Sequence, residues 1–347
     1  MNRGFALFVL VATFLLAFPT LSPAPLIYRP GEGWTYEPVG SVGKWQMTRA
    51  KDQFEVAKAA FDKKSYGLAL KAARRVVQVW PLSDYAPQAQ YIVGRCYEAT
   101  GKDEKAFKEY QKVLEKQPKN ENYQEILQRQ IIITDRFLAG KWFKLWGYIP
   151  FFPSMDRTAG MYDKIVKNGP YSEVAPQAQL KIGTAREKQR NYPFAVKAYE
   201  LAADRYHDRP TVAAEALYRA GLAYKKQAQT AEYDQSSAGQ AIATFIDFRT
   251  LYPEDPRVAE TDKIIASLKA EQARGNFQIA KFYEKRNKWN GALVYYNEVQ
   301  MQDPDSPFAT EAQQRIFTLK KRMQPDARLE VKKPESNKTV LEEVPKK

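Results

Sequence analysis

Covalent catalysis needs a nucleophile with its base, a pair of tuned acids, or a set of metal ligands. In 347 residues this sequence offers one histidine and one cysteine. His207 falls in Tyr206-His207-Asp208-Arg209-Pro210, a turn-like run, and reads as a solvated turn residue. Cys96, beside Gly94 and Tyr97, reads as a small buried apolar residue on the inward side of a helix. No ligand spacing suits a metal, and neither a glycine-rich phosphate loop nor a nucleophile elbow is present. Carboxylates are numerous but read as solvating charges on helix surfaces. The sequence therefore predicts no catalytic residue, no cofactor and no metal site, and a protein that is not an enzyme.

The side chains best suited to recognition are aromatic. Between Gly140 and Pro153 stand Trp142, Phe143, Trp146, Tyr148, Phe151 and Phe152. A segment this apolar is expected to bury itself against its own scaffold or to hold a partner or membrane surface. These six residues are the candidates for partner binding.

What positions them is a repeat. Ala86-Pro87-Gln88-Ala89-Gln90 recurs 89 positions later as Ala175-Pro176-Gln177-Ala178-Gln179. Gly94, Tyr97, Ala106, Tyr110 and Pro118 are separated by steps of 3, 9, 4 and 8, and Ala280, Tyr283, Ala292, Tyr296 and Pro304 repeat them. So do Ala57, Ala60, Ala69, Ala73 and Pro81, while Gly183, Ala195 and Tyr199 follow with His207 in the place of the proline. Gly221, Tyr224, Ala241, Phe245 and Pro253 fit the same pattern with an eight-residue insertion between the helices. A partial unit takes Tyr123 to Leu138 as one helix and Thr158, Tyr162, Ile165 and Pro170 as the next, with the aromatic insertion 140–153 between them.

These are the marks of helix pairs. Small residues let two backbones approach, and an aromatic one turn along fills the wedge between them. The proline cannot continue a helix and opens the turn to the next unit. The predicted fold is all-α, a tetratricopeptide-type right-handed solenoid of about five to six helix pairs over residues 49–322. The spaced small and aromatic residues are its core rather than a site.

The flanks differ. Arg3 precedes an uncharged stretch from Phe5 to Phe18, 14 residues long and followed by Pro19, Ser22 and Ala24. That is shorter than the roughly 20 residues needed to span a bilayer. Residues 1–24 therefore read as an export signal, cleaved or retained as an anchor. Residues 25–48, rich in Pro, Gly and aromatics, read as an extended lead-in. Residues 323–347 read as a disordered tail. The net charge of +14 falls on the solenoid, because the tail from Pro325 carries six basic and five acidic residues. Such an excess suits acidic or phosphate-bearing partners or is simply a solvated surface. No nucleic-acid motif accompanies it, and none is expected as a partner.

Several stretches resemble the BamD-type (YfiO) outer-membrane assembly proteins. They are Val76-Val77-Gln78-Val79-Trp80-Pro81-Leu82-Ser83-Asp84-Tyr85-Ala86, Phe245-Ile246-Asp247-Phe248-Arg249-Thr250-Leu251-Tyr252-Pro253 and Ile279-Ala280-Lys281-Phe282-Tyr283-Glu284-Lys285-Arg286. Trp146-Gly147-Tyr148-Ile149-Pro150 and Tyr171-Ser172-Glu173-Val174-Ala175-Pro176 resemble a divergent branch of that family. The resemblance covers roughly residues 50–320. It implies a non-catalytic periplasmic scaffold, membrane-associated at the outer membrane. Such a scaffold holds a barrel-type insertase with periplasmic domains and, as a second partner class, unfolded outer-membrane proteins. Members of the family usually carry an N-terminal lipid-bearing cysteine, and none stands near the end of the apolar stretch here. The alternative left open is an exported tetratricopeptide scaffold for cell-envelope or cell-wall and division machinery.

Overall fold

The computed structural model describes residues 26–31, 33–36, 45–118, 120–145, 149–230 and 235–323. The predicted signal and tail, apart from Met323, lie outside them, as do the side chains of Trp146, Tyr148 and Phe151. The described chain is all-α in its body, with two short hairpins added. It divides into two compact units, residues 1–185 and 186–347.

The first unit opens on an antiparallel hairpin, β1 (Leu26–Arg29) and β2 (Gly33–Tyr36), inside the expected extended lead-in. Gly31 at its turn has φ +78°, a conformation that glycine adopts without strain. Its carbonyl accepts from the Asp84 backbone N–H at 2.8 Å and the Ser83 hydroxyl at 3.2 Å. Three helix pairs follow. They are α1 (Ala50–Asp62) with α2 (Tyr66–Val79), α3 (Tyr85–Ala99) with α4 (Asp103–Lys116), and α5 (Tyr123–Leu138) with α6 (Met155–Asn168). A second hairpin, β3 (Phe143–Leu145) and β4 (Ile149–Phe152), interrupts the last pair.

Each pair buries one stripe per helix. Ala57, Ala69, Ala73, Ala89, Ala106 and Tyr110 are all fully buried in one continuous core. Gly94 shows why the residue type matters: a methyl group placed on it would lie 2.5 Å from the Tyr110 ring. The two backbones meet there because one side chain is missing. Helices α2 to α6 are each followed within two residues by a proline or glycine, whereas Lys64, with φ +59°, makes the turn after α1, and Ser154 caps α6 by accepting from the Arg157 N–H at 3.3 Å.

The boundary between the units falls inside α7 (Ala175–Lys188), where Gly183 is buried. The second unit contains α8 (Tyr192–Arg205), α9 (Pro210–Thr230), α10 (Gln235–Leu251), α11 (Val258–Lys285), α12 (Trp289–Gln302) and α13 (Pro307–Met323). Ala195, Tyr199, Ala241, Phe245, Ala280, Ala292 and Tyr296 have no exposed surface, whereas Tyr224 and Tyr283 are half-buried. Gly221 repeats the close approach of Gly94, with Phe245 at 2.7 Å from an added methyl group.

Two features depart from regular repeat spacing. The residues inserted between Tyr224 and Ala241 partly extend α9 to 21 residues. Helix α11 runs for 28 residues. Its first half places Ile264, Ile265 and Leu268 against Ala241 and Phe245. Its second half places Ala273, Phe277 and Ala280 against Ala292, Tyr296 and α13.

Candidate interaction surfaces

The repeat core carries a polar device. The Tyr110 hydroxyl, on fully buried Tyr110 of α4, donates to Glu98 Oε2 of α3 at 2.7 Å. Tyr199 donates to Glu187 at 2.8 Å and Tyr296 to Glu284 at 2.7 Å, each spanning the same 12 residues. Tyr162 donates to Asp135 at 2.5 Å across the insertion. A buried hydroxyl needs such a partner. Each acid then meets a base from further along the chain: Arg129 Nη1 lies 3.3 Å from Glu98 and Lys181 Nζ 2.7 Å from Asp135. Lys226 lies 3.2 Å from Glu187, and Arg315 3.3 Å from Glu284. Burial first, and the hydrogen bond to a carboxylate second, push the Tyr110, Tyr162 and Tyr296 hydroxyls far above the ordinary tyrosine value. These acids escaped the sequence reading. Their signal was present: Glu98, Glu187 and Glu284 each stand four residues after the small residue Gly94, Gly183 or Ala280.

The aromatic insertion divides into core and surface. Phe143 is 2 % exposed and stacks on Phe137 at 4.3 Å with the planes 12° apart. Its other face carries the Arg157 guanidinium, 4.1 Å from the ring centroid. Phe143 is therefore withdrawn from the candidates for partner binding, because the scaffold already covers both its faces. Trp142 and Phe152 remain accessible at 52 % and 42 %.

Trp142 also lines a cleft of about 280 Å³, together with Lys102, Asp103, Glu104, Lys105, Lys108, Phe137, Lys141, Lys144 and Arg157. Asp103 is fully buried at the start of α4, 2.6 Å from Lys141 Nζ and 3.1 Å from Arg136 Nη1. Glu104 accepts from the Lys144 backbone N–H at 2.6 Å and pairs with Arg157 at 3.0 Å. These contacts fasten the hairpin to α4 and α6. The lysines of α4 lay outside the sequence-level candidates, because residues 40 positions apart in the chain meet only after folding.

A second cleft, lined by Phe61, Asp62, Lys64, Arg95, Glu98, Arg129 and Arg136, lies on α1, α3 and α5. Its arginines are engaged: Arg129 Nη2 meets Glu125 at 2.7 Å, and Arg95 lies over the Phe61 ring at 5.2 Å. Burial works to raise the Glu125 pKa, yet hydrogen bonds from Tyr91 and Arg129 win and hold it below the ordinary value.

His207 is exposed, with Nδ1 2.8 Å from the Asp204 carbonyl oxygen, and no cluster of three potential metal ligands occurs among the described residues. Cys96 is 1 % exposed, and burial pushes its thiol up to about 11. No described helix is long and apolar enough to cross a membrane.

Residues 158–333, just over half of the chain, match the family described as YfiO, outer membrane lipoprotein. The chain belongs to the YfiO family. Residues 88–120, most of α3 and all of α4, match a tetratricopeptide repeat. No curated protein matches the chain. Among solved structures it is similar to the C-terminal part of a tetratricopeptide protein from Cytophaga hutchinsonii. That match has 15 % identity over 76 % of this chain and 87 % of that one, with a TM-score of 0.34. A tetratricopeptide protein from Parabacteroides merdae is 11 % identical over 77 % of this chain and 98 % of that one, with a TM-score of 0.31. The MamA protein is 13 % identical over 59 % of this chain and 92 % of that one, with a TM-score of 0.34. The YfiO match begins at Thr158 in α6 and takes in every later helix, while the aromatic hairpin and its cleft lie before it. Cys96 is buried within α3.

Proposed function

We propose that this chain is a non-catalytic periplasmic scaffold of outer-membrane β-barrel protein assembly. In this role it binds a barrel-type insertase through its periplasmic domains and, as a second class, unfolded barrel proteins. The supporting observation is the YfiO-family match across α6 to α13, joined to a repeat fold whose pairs of helices offer long side-chain-lined faces. Residues 1–24 act in this reading as the export signal. Trp142 and Phe152 are the insertion residues retained as partner contacts; Trp146, Tyr148 and Phe151 stay with them on their sequence alone.

The reading is tested by affinity recovery of the full chain from an envelope extract. Co-recovery of an outer-membrane barrel bearing periplasmic domains is expected. Recovery of cell-wall synthases without any barrel would overturn it in favour of the envelope-scaffold alternative.

A further inference from the structure

The cleft under the aromatic hairpin is built for an anion at a surface. Six cationic side chains line it against two carboxylates. Both carboxylates are satisfied internally: Asp103 by Lys141 and Arg136, Glu104 by Arg157 and the Lys144 backbone. Lys102, Lys108 and Lys144 are exposed and form no ion pair with any described residue. Their charge therefore faces outward without a counter-charge. Trp142, half-exposed, stands on the same rim.

We propose that this cleft, with Trp142 on its rim, docks on a lipid surface by taking the phosphate of an anionic phospholipid headgroup. Three observations favour a headgroup over an acidic peptide. The cleft lies at the α3–α4 turn and the hairpin, at the ends of helices where a flat surface can reach, not along a helix face. Its outward charges are lysines, flexible point charges that suit a fluid layer of headgroups where no fixed two-pronged geometry is demanded. The one arginine in the wall, Arg157, is spent on Glu104 and the Phe143 ring. The exposed tryptophan completes the pattern, because its amphipathic ring settles at headgroup depth. An anionic surface attracts each nearby lysine by roughly five-fold in binding, an effect that salt screens.

The test is flotation of the full chain with phosphatidylcholine vesicles, with and without added phosphatidylglycerol, at low and high salt. Binding is expected only with phosphatidylglycerol, falling as salt rises. The charge-removing variant Lys102→Gln/Lys108→Gln/Lys144→Gln should lose about ten-fold or more in bound fraction. Lys102→Arg/Lys108→Arg/Lys144→Arg should retain it, and Trp142→Ala should weaken it several-fold. All four positions are exposed, and an unchanged circular dichroism spectrum confirms that each variant folds. Equal binding to neutral vesicles, or full binding by the glutamine variant, would overturn the proposal. So would release from vesicles by millimolar inorganic phosphate, which would assign the cleft to the free ion. A protein partner recovered through the glutamine variant is compatible with either result, so the scaffold reading stands or falls separately.

Discussion

The hydroxyl of Tyr110 lies 2.7 Å from a carboxylate oxygen of Glu98, twelve residues earlier in the chain and on the facing helix. The ring fills the space that Gly94 leaves open, and the hydroxyl at its far end reaches the acid. The acid in turn meets Arg129 of the next helix pair. One side chain thus closes a pair and helps to join it to its successor. Tyr110→Phe should cost about 1.5 kcal/mol, and Glu98→Gln should cost a similar amount. A double-mutant cycle in urea should show a coupling of about 1 kcal/mol or more; additive effects would contradict the pairing.

Gly94 and Gly221 have no room for a methyl group. The Cβ of Gly94→Ala would meet Tyr110, and that of Gly221→Ala would meet Phe245, both in fully buried surroundings. Each substitution should destabilise by about 1–3 kcal/mol through overpacking, although alanine is the better helix former. Thermal unfolding of the two variants checks this, with Gly67→Ala as the control, because nothing lies within 4 Å of its added atom.

Within the insertion the neighbouring residues 142 and 143 should behave oppositely. Phe143→Ala removes a ring held between Phe137 and Arg157 and should cost about 3 kcal/mol or more. Trp142→Ala should change stability by less than about 0.5 kcal/mol. Chemical denaturation followed by circular dichroism separates the two.

Alkali should unfold the protein in a defined window. Burial raises the Tyr110, Tyr162 and Tyr296 hydroxyls, and Tyr224 is pushed up to about 12 by burial and the hydrogen bond to Glu200. An unfolded chain ionises its tyrosines near pH 10, which the folded chain resists. The stability they contribute is complete below pH 10 and is lost as pH climbs through the folded values. Tyrosinate absorbance should therefore rise in two phases, exposed rings first and the buried ones together with loss of helix. A single phase near pH 10 with helix intact would contradict the burial.

Cys96 should resist thiol reagents while the protein is folded. Its raised thiol and enclosed position leave almost no accessible thiolate at neutral pH. Labelling with a maleimide should become complete only in denaturant.

The repeated steps of 3, 9, 4 and 8 were enough to place the small and aromatic core, because close backbone approach demands a fixed spacing on each helix. Gly94 and Tyr110 were legible in that way. Phe143 was not, since its neighbours Phe137 and Arg157 come from helices on either side of the insertion, and composition alone cannot say which ring of six turns inward. The lysine-lined cleft was hidden for the same reason: Lys102 before α4 and Lys108 on it meet Lys144 only through the Glu104 contact with the hairpin. The full length of α11 was not legible either: Gly275 falls near its middle yet does not end it, and the small-residue pattern resumes only at Ala280.

That undivided helix has a mechanical consequence. Where most neighbouring elements are joined by turns that can flex, α11 carries one unbroken ladder of backbone bonds from the α10 contact to α13. Opening either end strains the rod that supports the other, so this stretch should exchange its amide protons as one block rather than in separate steps. The C-terminal part of the family match is thereby a lever arm: a push on α13 is delivered to α10 with no joint between them to absorb it.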